Sequence, residues 1–330
     1  MTGSERSEYK GWVELESEPG FFNAILHQLG TQDFKVQELF GLDEFALNLL
    51  PMPVHGLIYL YQYNDESLTS DDRHDCPGDL WFANQTTTNS CATVAMMNIV
   101  MNAEDTTLGS ELQAFKEATV PLPPPHRGFM LDKNDFIRSI HNSVARRSAL
   151  VSEDLLLENK FEAAEQLSRT QSRKRVARPS RIRKRADTEQ AFHYIAYVPV
   201  KGQVWELDGF EMQPRCLGSS GTDNWIGVAS TAIQERMMNN EDLSCSLLAV
   251  CQSPLRKILH QFESSRESEE DGKHVRLAAE HVAELASCEE GLDMMRERQK
   301  DYSPAVHRWV QILADKGVLR DLIADTAGGK

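Results

Sequence analysis

A chain of 330 residues with 41% hydrophobic content can bury a sizeable core, either as two domains or as one domain with an appendage. Its formal net charge of -15 argues against a general binder of nucleic acid or of anionic membranes, and favours a basic or neutral partner. No apolar run approaches the length of a membrane span, and the N-terminus MTGSERSEYKGWVELESEPG lacks a basic start followed by an apolar stretch, so a soluble intracellular protein is expected.

In chain order, PGFFNAILHQLG (19–30) and DEFALNLLP (43–51) read as short amphipathic helices stopped by Gly or Pro. VHGLIYLYQY (54–63) reads as a strand, and a polar loop, NDESLTSDDRHDCPGD, follows it. The stretch WFANQTTTNSCATVAMMNIVMNA (81–103) turns from a polar loop of small residues into an apolar run that reads as a buried helix opening near Cys91. LGSELQAFKEAT and NDFIRSIHNSVARR give two more helices, separated by VPLPPPHRG (120–128), which reads as a Pro-rich loop.

Residues 148–190 hold one short helical pattern and then RKRVARPSRIRKR (173–185), in which eight of thirteen residues are Lys or Arg. A connection of this length inside a compact domain is functional or disordered. FHYIAYVPV and QVWELDGF resume the strand pattern as a hairpin turning at Lys201-Gly202, and SCSLLAVC adds a later strand. From 252 to 330 the sequence is charged and helix-favouring, with apolar residues at three-to-four spacing broken at DYSP and again at KG. That predicts a long helix and a shorter one whose apolar stripe needs a partner or the main domain to cover it.

Six cysteines (Cys76, Cys91, Cys216, Cys245, Cys251, Cys288) are scattered without CxxC spacing, so neither a metal site nor a disulfide framework is expected, and no cofactor is implied. A sulfur at the first position of a helix lies at the positive end of its dipole, where a thiolate is favoured. Such a nucleophile needs a base and a group that orients the base. His193 lies about nine residues before the hairpin turn and Asp208 about six after it, so a small register offset would let an imidazole and a carboxylate meet across the strands. Gln85, six residues before Cys91, could present its amide to a developing oxyanion beside the Cys91 N–H. Each residue has an ordinary alternative. Taken alone, Cys91 reads by default as a core cysteine, His193 as a hydrogen-bonded core histidine, Asp208 as a turn residue before glycine, and Gln85 as a solvated loop amide.

The ordered set GWVELESEPGFF, PVHGLIYLYQY, FANQTTTNSCATVAMMNIVMN, LGSELQAFKE, IHNSVARR, AFHYIAYVPVKGQVWELDGF and SLLAV resembles the ubiquitin C-terminal hydrolase family of cysteine deubiquitinases. The resemblance implies a papain-like α/β fold, an antiparallel sheet flanked by helices, over residues 11–251 after a short tail (1–10). It also implies that Cys91 is the nucleophile, His193 the general acid and base, Asp208 its orienter and Gln85 the oxyanion donor, with ubiquitin as substrate. Residues 148–190 fall where the family carries a crossover loop that straddles the active site and filters leaving groups by size. Residues 252–330 are similar to the helical extension of the long subgroup, which docks an activating domain. The resemblance therefore implies either a proteasomal ubiquitin receptor or a Polycomb-type scaffold as partner, the latter with histone substrates, while a ubiquitin-binding scaffold with little turnover is a third reading. The basic run 173–185 reads as a solvated loop, as a nuclear import signal or as a DNA or nucleosome contact, and cytoplasm and nucleus are the expected locations.

Overall fold

The computed structural model describes residues 9–63, 73–146, 149–153, 192–219, 225–239, 245–255 and 271–318, with positions 155 and 258. The greater part of the crossover segment, from 156 on, with the basic run and the tail at 1–8, lies outside the described residues. Among the described residues no helix is long and apolar enough to cross a membrane.

Among the described residues six strands form one antiparallel sheet: β1 (Phe34–Glu38), β2 (Val54–Gln62), β3 (Phe192–Val200), β4 (Gln203–Leu207), β5 (Arg215–Ser219) and β6 (Ser246–Gln252), in the order β1-β6-β2-β3-β4-β5. β2 and β3 are apolar almost without alternation because they are central and covered on both faces. One face, with Ile58, Ala196, Val198, Trp205, Leu248 and Val250, packs on α1 (Pro19–Gln28) and α3 (Cys91–Val100). The other, with Leu57, Tyr59, Ile195, Tyr197, Leu247 and Ala249, packs on α2 (Glu44–Asn48) and α7 (Trp225–Asn239). Every residue of α3 is buried, as its predominantly apolar sequence predicts for a central helix, with Thr93 and Asn98 the polar exceptions.

The sequence reading holds for both central strands, the Lys201-Gly202 turn, with both residues at positive φ, and the helix opening at Cys91. It fails at VPLPPPHRG. Pro124 and Pro125 are not loop residues but open α5 (Pro124–Asp132), where the missing N–H groups are among those a helix start leaves unpaired anyway. Gly128 in that helix packs against the chain before Cys91, where a Cβ would collide with the Asn84 carbonyl. The short strands β1 and β5 and the helix α7 were also not legible. The two strands are five-residue sheet edges, and α7 carries a weak apolar pattern.

α4 (Ser110–Thr119) and α6 (Asp135–Ser143) complete the body, and α6 clamps the N-terminal segment. Asn142 accepts from the Val13 N–H (3.1 Å) and donates to the Gly11 carbonyl (2.9 Å). His141, fully buried, bonds the Val13 carbonyl (2.7 Å) through Nε2 and the Thr93 hydroxyl (2.7 Å) through Nδ1, so Nε2 carries the proton and Nδ1 accepts. Burial pushes its pKa down to about 4 despite the Val13 bond. Because the folded value lies below the unfolded one, the stability is present above pH 6.5 and lost as pH falls towards 4. The loss is about 3 kcal/mol. Urea unfolding at pH 7 and pH 4.5 should show a smaller acid loss for His141→Gln than for the wild type.

α8 (Asp271–Gln299) lies across α1, so the main domain covers part of its apolar stripe. The helices cross at Gly20 and Gly291, where a Cβ on Gly291 would run into the Gly20 carbonyl. Lys35 pairs with Glu284 (2.6 Å) and Arg298 with Glu16 (2.5 Å), while the Arg298 guanidinium lies 4.1 Å from the Phe21 ring. α9 (Ser303–Asp315) buries none of its residues, and Trp309 is 62% exposed.

Candidate active site

The hairpin register brings the candidate base and its orienter together. Ala196 faces Leu207, so continuing the ladder sets Asp208 opposite Ile195, two residues from His193 and on the same face. His193 Nε2 donates to Asp208 Oδ1 at 2.7 Å, and the same oxygen accepts from the Phe210 N–H at 2.9 Å. Both side chains are buried. Burial works against the Asp208 carboxylate, but the hydrogen bond and charge of His193, the Phe210 N–H and the charge of Arg236 outweigh it and hold its pKa below the ordinary range.

His193 shows the complementary shift. Burial opposes the imidazolium, yet hydrogen bonding and charge from Asp208 and from Cys91 push its pKa up to about 9. Nδ1 meets no partner at hydrogen-bond geometry, although Cys91 acts on the ring. Catalytic hydrogen bonds are commonly loose before substrate binds. The ring is fixed from its faces and edges as well. Phe210 stacks on it at 3.9 Å between centroids, and Tyr61 and Tyr63 meet it edge-on at 6.0 and 5.9 Å. Phe210 and the tyrosines were missed in the sequence, where they read as ordinary strand aromatics.

Cys91 is the first residue of α3, and the helix starts without a side-chain cap: the Ser90 hydroxyl goes instead to the Thr87 carbonyl at 3.2 Å. The first-turn N–H groups are therefore not taken by a cap and point out of the helix start. Asn89, at φ 65, makes the turn into the helix and donates to the Trp12 carbonyl at 3.1 Å. Gln85 lies in the extended stretch before that turn. Its amide nitrogen donates to the Thr87 carbonyl (2.8 Å) and its side-chain oxygen is buried without a partner, while its backbone N–H donates to the Gly209 carbonyl (2.8 Å) beside Asp208. An NH2 group carries two hydrogens, so the bond to Thr87 leaves one donor available. Among the described residues no group of three metal-ligating side chains occurs.

An imidazole and a carboxylate paired at a sheet end, with a cysteine at the start of a buried helix that packs on the same sheet, define a protein of the cysteine-peptidase class. Residues 12–238 match the family described as ubiquitin carboxyl-terminal hydrolase, family 1. The chain belongs to that family.

Two curated relatives show how far the likeness runs. The chain is 32% identical over 248 residues to ubiquitin carboxyl-terminal hydrolase isozyme L5 of Dictyostelium discoideum, covering 74% of this chain and 63% of that protein. It thus spans less than two thirds of that relative's length. It is 28% identical over 324 residues to ubiquitin carboxyl-terminal hydrolase ubh-4 of Caenorhabditis elegans, covering 94% of this chain and 90% of that protein. The crystal structure of Trichinella spiralis UCH37 bound to ubiquitin vinyl methyl ester superposes with a TM-score of 0.62 at 28% identity, covering 85% of this chain and 99% of that one.

Proposed function

We propose that the protein is a thiol hydrolase that cleaves the bond after the C-terminal glycine of ubiquitin. The observation that carries this reading is the His193 ring, pinned to Asp208 through Nε2 with Nδ1 left without a partner, beside a cysteine that opens the buried helix on the same sheet. The Cys91 thiolate attacks the glycine carbonyl, and the carbonyl electron pair moves onto oxygen, where the Cys91 N–H and the Gln85 amide receive it. As the C–N bond breaks, imidazolium Nδ1 gives its proton to the leaving amine and a thioester remains. Water, deprotonated by the now neutral His193, adds to the thioester. Collapse expels the thiolate, which the re-formed imidazolium stabilises, and ubiquitin leaves as its carboxylate. The small glycines of the ubiquitin tail suit a narrow approach, and its arginines suit a chain of net charge -15.

In this reading residues 11–251 are the catalytic unit, residues 252–330 dock a helical activating domain such as that of a proteasomal ubiquitin receptor, and the enzyme works in the cytoplasm and nucleus. Supporting the docking role, Tyr302 before α9 and Val306, Trp309, Val310 and Ile312 on it are exposed, and the likeness to the nematode protein covers 94% of the chain. Incubation with ubiquitin carrying a C-terminal electrophile, followed by peptide mapping, should give one adduct on Cys91 and none in Cys91→Ala. An adduct on another cysteine would remove the assignment.

A further inference from the structure

The segment that carries Gln85 belongs to no strand of the sheet, yet Leu80, Trp81, Phe82, Ala83 and Asn84 are buried. Its buried backbone groups need partners, and with no neighbouring strand in the sheet the Asn84 and Gln85 N–H groups reach the Pro124 and Gly209 carbonyls while those of residues 81 and 83 are met by side chains. Asn102 accepts from the Trp81 N–H at 2.8 Å and donates to the Trp81 carbonyl at 2.7 Å. Asn98, wholly buried one turn earlier on α3, accepts from the Ala83 N–H at 2.9 Å and donates to the Ala83 carbonyl at 3.4 Å. From the opposite side, the buried Arg127 of α5 donates to the carbonyls of Leu80 (2.9 Å) and Phe82 (3.4 Å).

Helix and segment run antiparallel with nearly matched spacing. Four helical residues rise about 6.0 Å and two extended residues about 6.6 Å. Asn98 on α3 and Asn102, four residues on in the turn that ends the helix, can therefore each engage one residue of a pair two apart on the segment. The next step of this ladder sets Gln85 beside Val94, one turn from Cys91. That placement agrees with the packing: a Cβ on Gly209 would lie 3.1 Å from Gln85 Cβ and 3.2 Å from Val94 Cγ1. The Asn98 rung stands on the helix that Cys91 opens and the Asn102 rung on its closing turn, so they tie the position of the Gln85 amide to that of the sulfur.

We infer that Asn98 and Asn102, backed by Arg127, are positioning residues for the oxyanion site: their side-chain rungs replace a partner strand and set Gln85 against the nucleophile. The inference rests on the reading of Gln85 as oxyanion donor. Without the Asn98 rung the segment loses a hydrogen-bonded register point two residues from Gln85, while Cys91, His193 and Asp208 keep every contact they have.

The test measures hydrolysis of a ubiquitin C-terminal coumarin amide alongside alkylation of Cys91 by iodoacetamide, which builds no oxyanion. Gln85→Ala is expected to lower kcat about 100-fold. Asn98→Ala should lower it about tenfold with KM little changed, and in the Gln85→Ala background it should add almost nothing, since the two act on one donor. The alkylation rate of Asn98→Ala and its pH profile should match the wild type. Asn98→Ser, which keeps a short polar group on the helix, should show the same pattern to a smaller degree and serves if the alanine variant does not fold. Wild-type kcat in both Asn98 variants, losses that multiply with that of Gln85→Ala, or alkylation that falls in step with kcat would each overturn the inference while leaving Gln85 as donor. Wild-type kcat in Gln85→Ala would overturn the donor reading itself, and the inference with it.

Discussion

His193→Ala is expected to hydrolyse a ubiquitin C-terminal amide about 10,000-fold more slowly than the wild type, or worse, because one ring supplies two separate steps. In the proposed mechanism its imidazolium faces the attacking sulfur, and its Nδ1 proton then leaves with the amine. The loss should fall on kcat, since a group buried behind Phe210 and the two tyrosines offers little surface to a bound substrate. Asp208→Asn provides the graded comparison. The wild-type kcat/KM should decline on the alkaline side as the imidazolium loses its proton near its value of about 9. Asp208 is one of the two groups that raise that value against the pull of burial. Removing its charge leaves burial less opposed, so the alkaline limb should move to lower pH while an amide still holds the ring in place. A limb that stays where it is in Asp208→Asn would mean that the carboxylate does not act on the ring's proton affinity.

How much of this arrangement was legible depended on whether the signal lay within one element or between elements. The turn at Lys201-Gly202 was readable, and once it is fixed the ladder delivers Asp208 to within two residues of His193. The polar-to-apolar change at Cys91 was readable because a helix start and a wholly buried helix each mark the sequence. Phe210 was not, since its stacking depends on how the chain bends after Asp208. Nor was the role of Asn98, although two asparagines four apart within AMMNIVMN were a visible oddity: buried polar groups in an apolar helix need partners, and the sequence does not say which. The Pro-rich stretch misled because proline's local rule serves a loop and a helix start equally, and only the packing of Gly128 on Asn84 decides between them.

Arg236→Met is expected to destabilise the fold by about 3 kcal/mol, the largest stability effect among the side chains around the site. Glu206 of β4 is wholly buried, and Arg236 of α7 forks onto both its oxygens at 2.7 and 3.2 Å. Without that fork the carboxylate keeps only the Tyr197 hydroxyl at 3.3 Å and the longer approaches of Arg73 (3.6 Å) and Arg215 (3.9 Å). Those two cations hold the cost at the low end of the range for breaking a buried pair, and urea unfolding with an unchanged m-value would measure it. Replacing both partners, as Glu206→Gln with Arg236→Met, should recover most of the loss, because the penalty comes from a stranded charge and not from the missing attraction. Arg236 also lies 5.7 Å from the Tyr61 ring, whose neighbour across the strands is His193, and its charge helps keep Asp208 ionised. The direct His193 bond contributes more to Asp208 than that distant charge does. The double variant should therefore keep kcat/KM at pH 7 within a few fold of the wild type. A collapse of activity in a stably folded double variant would instead make the α7 cation part of the machinery that sets the His193 ring.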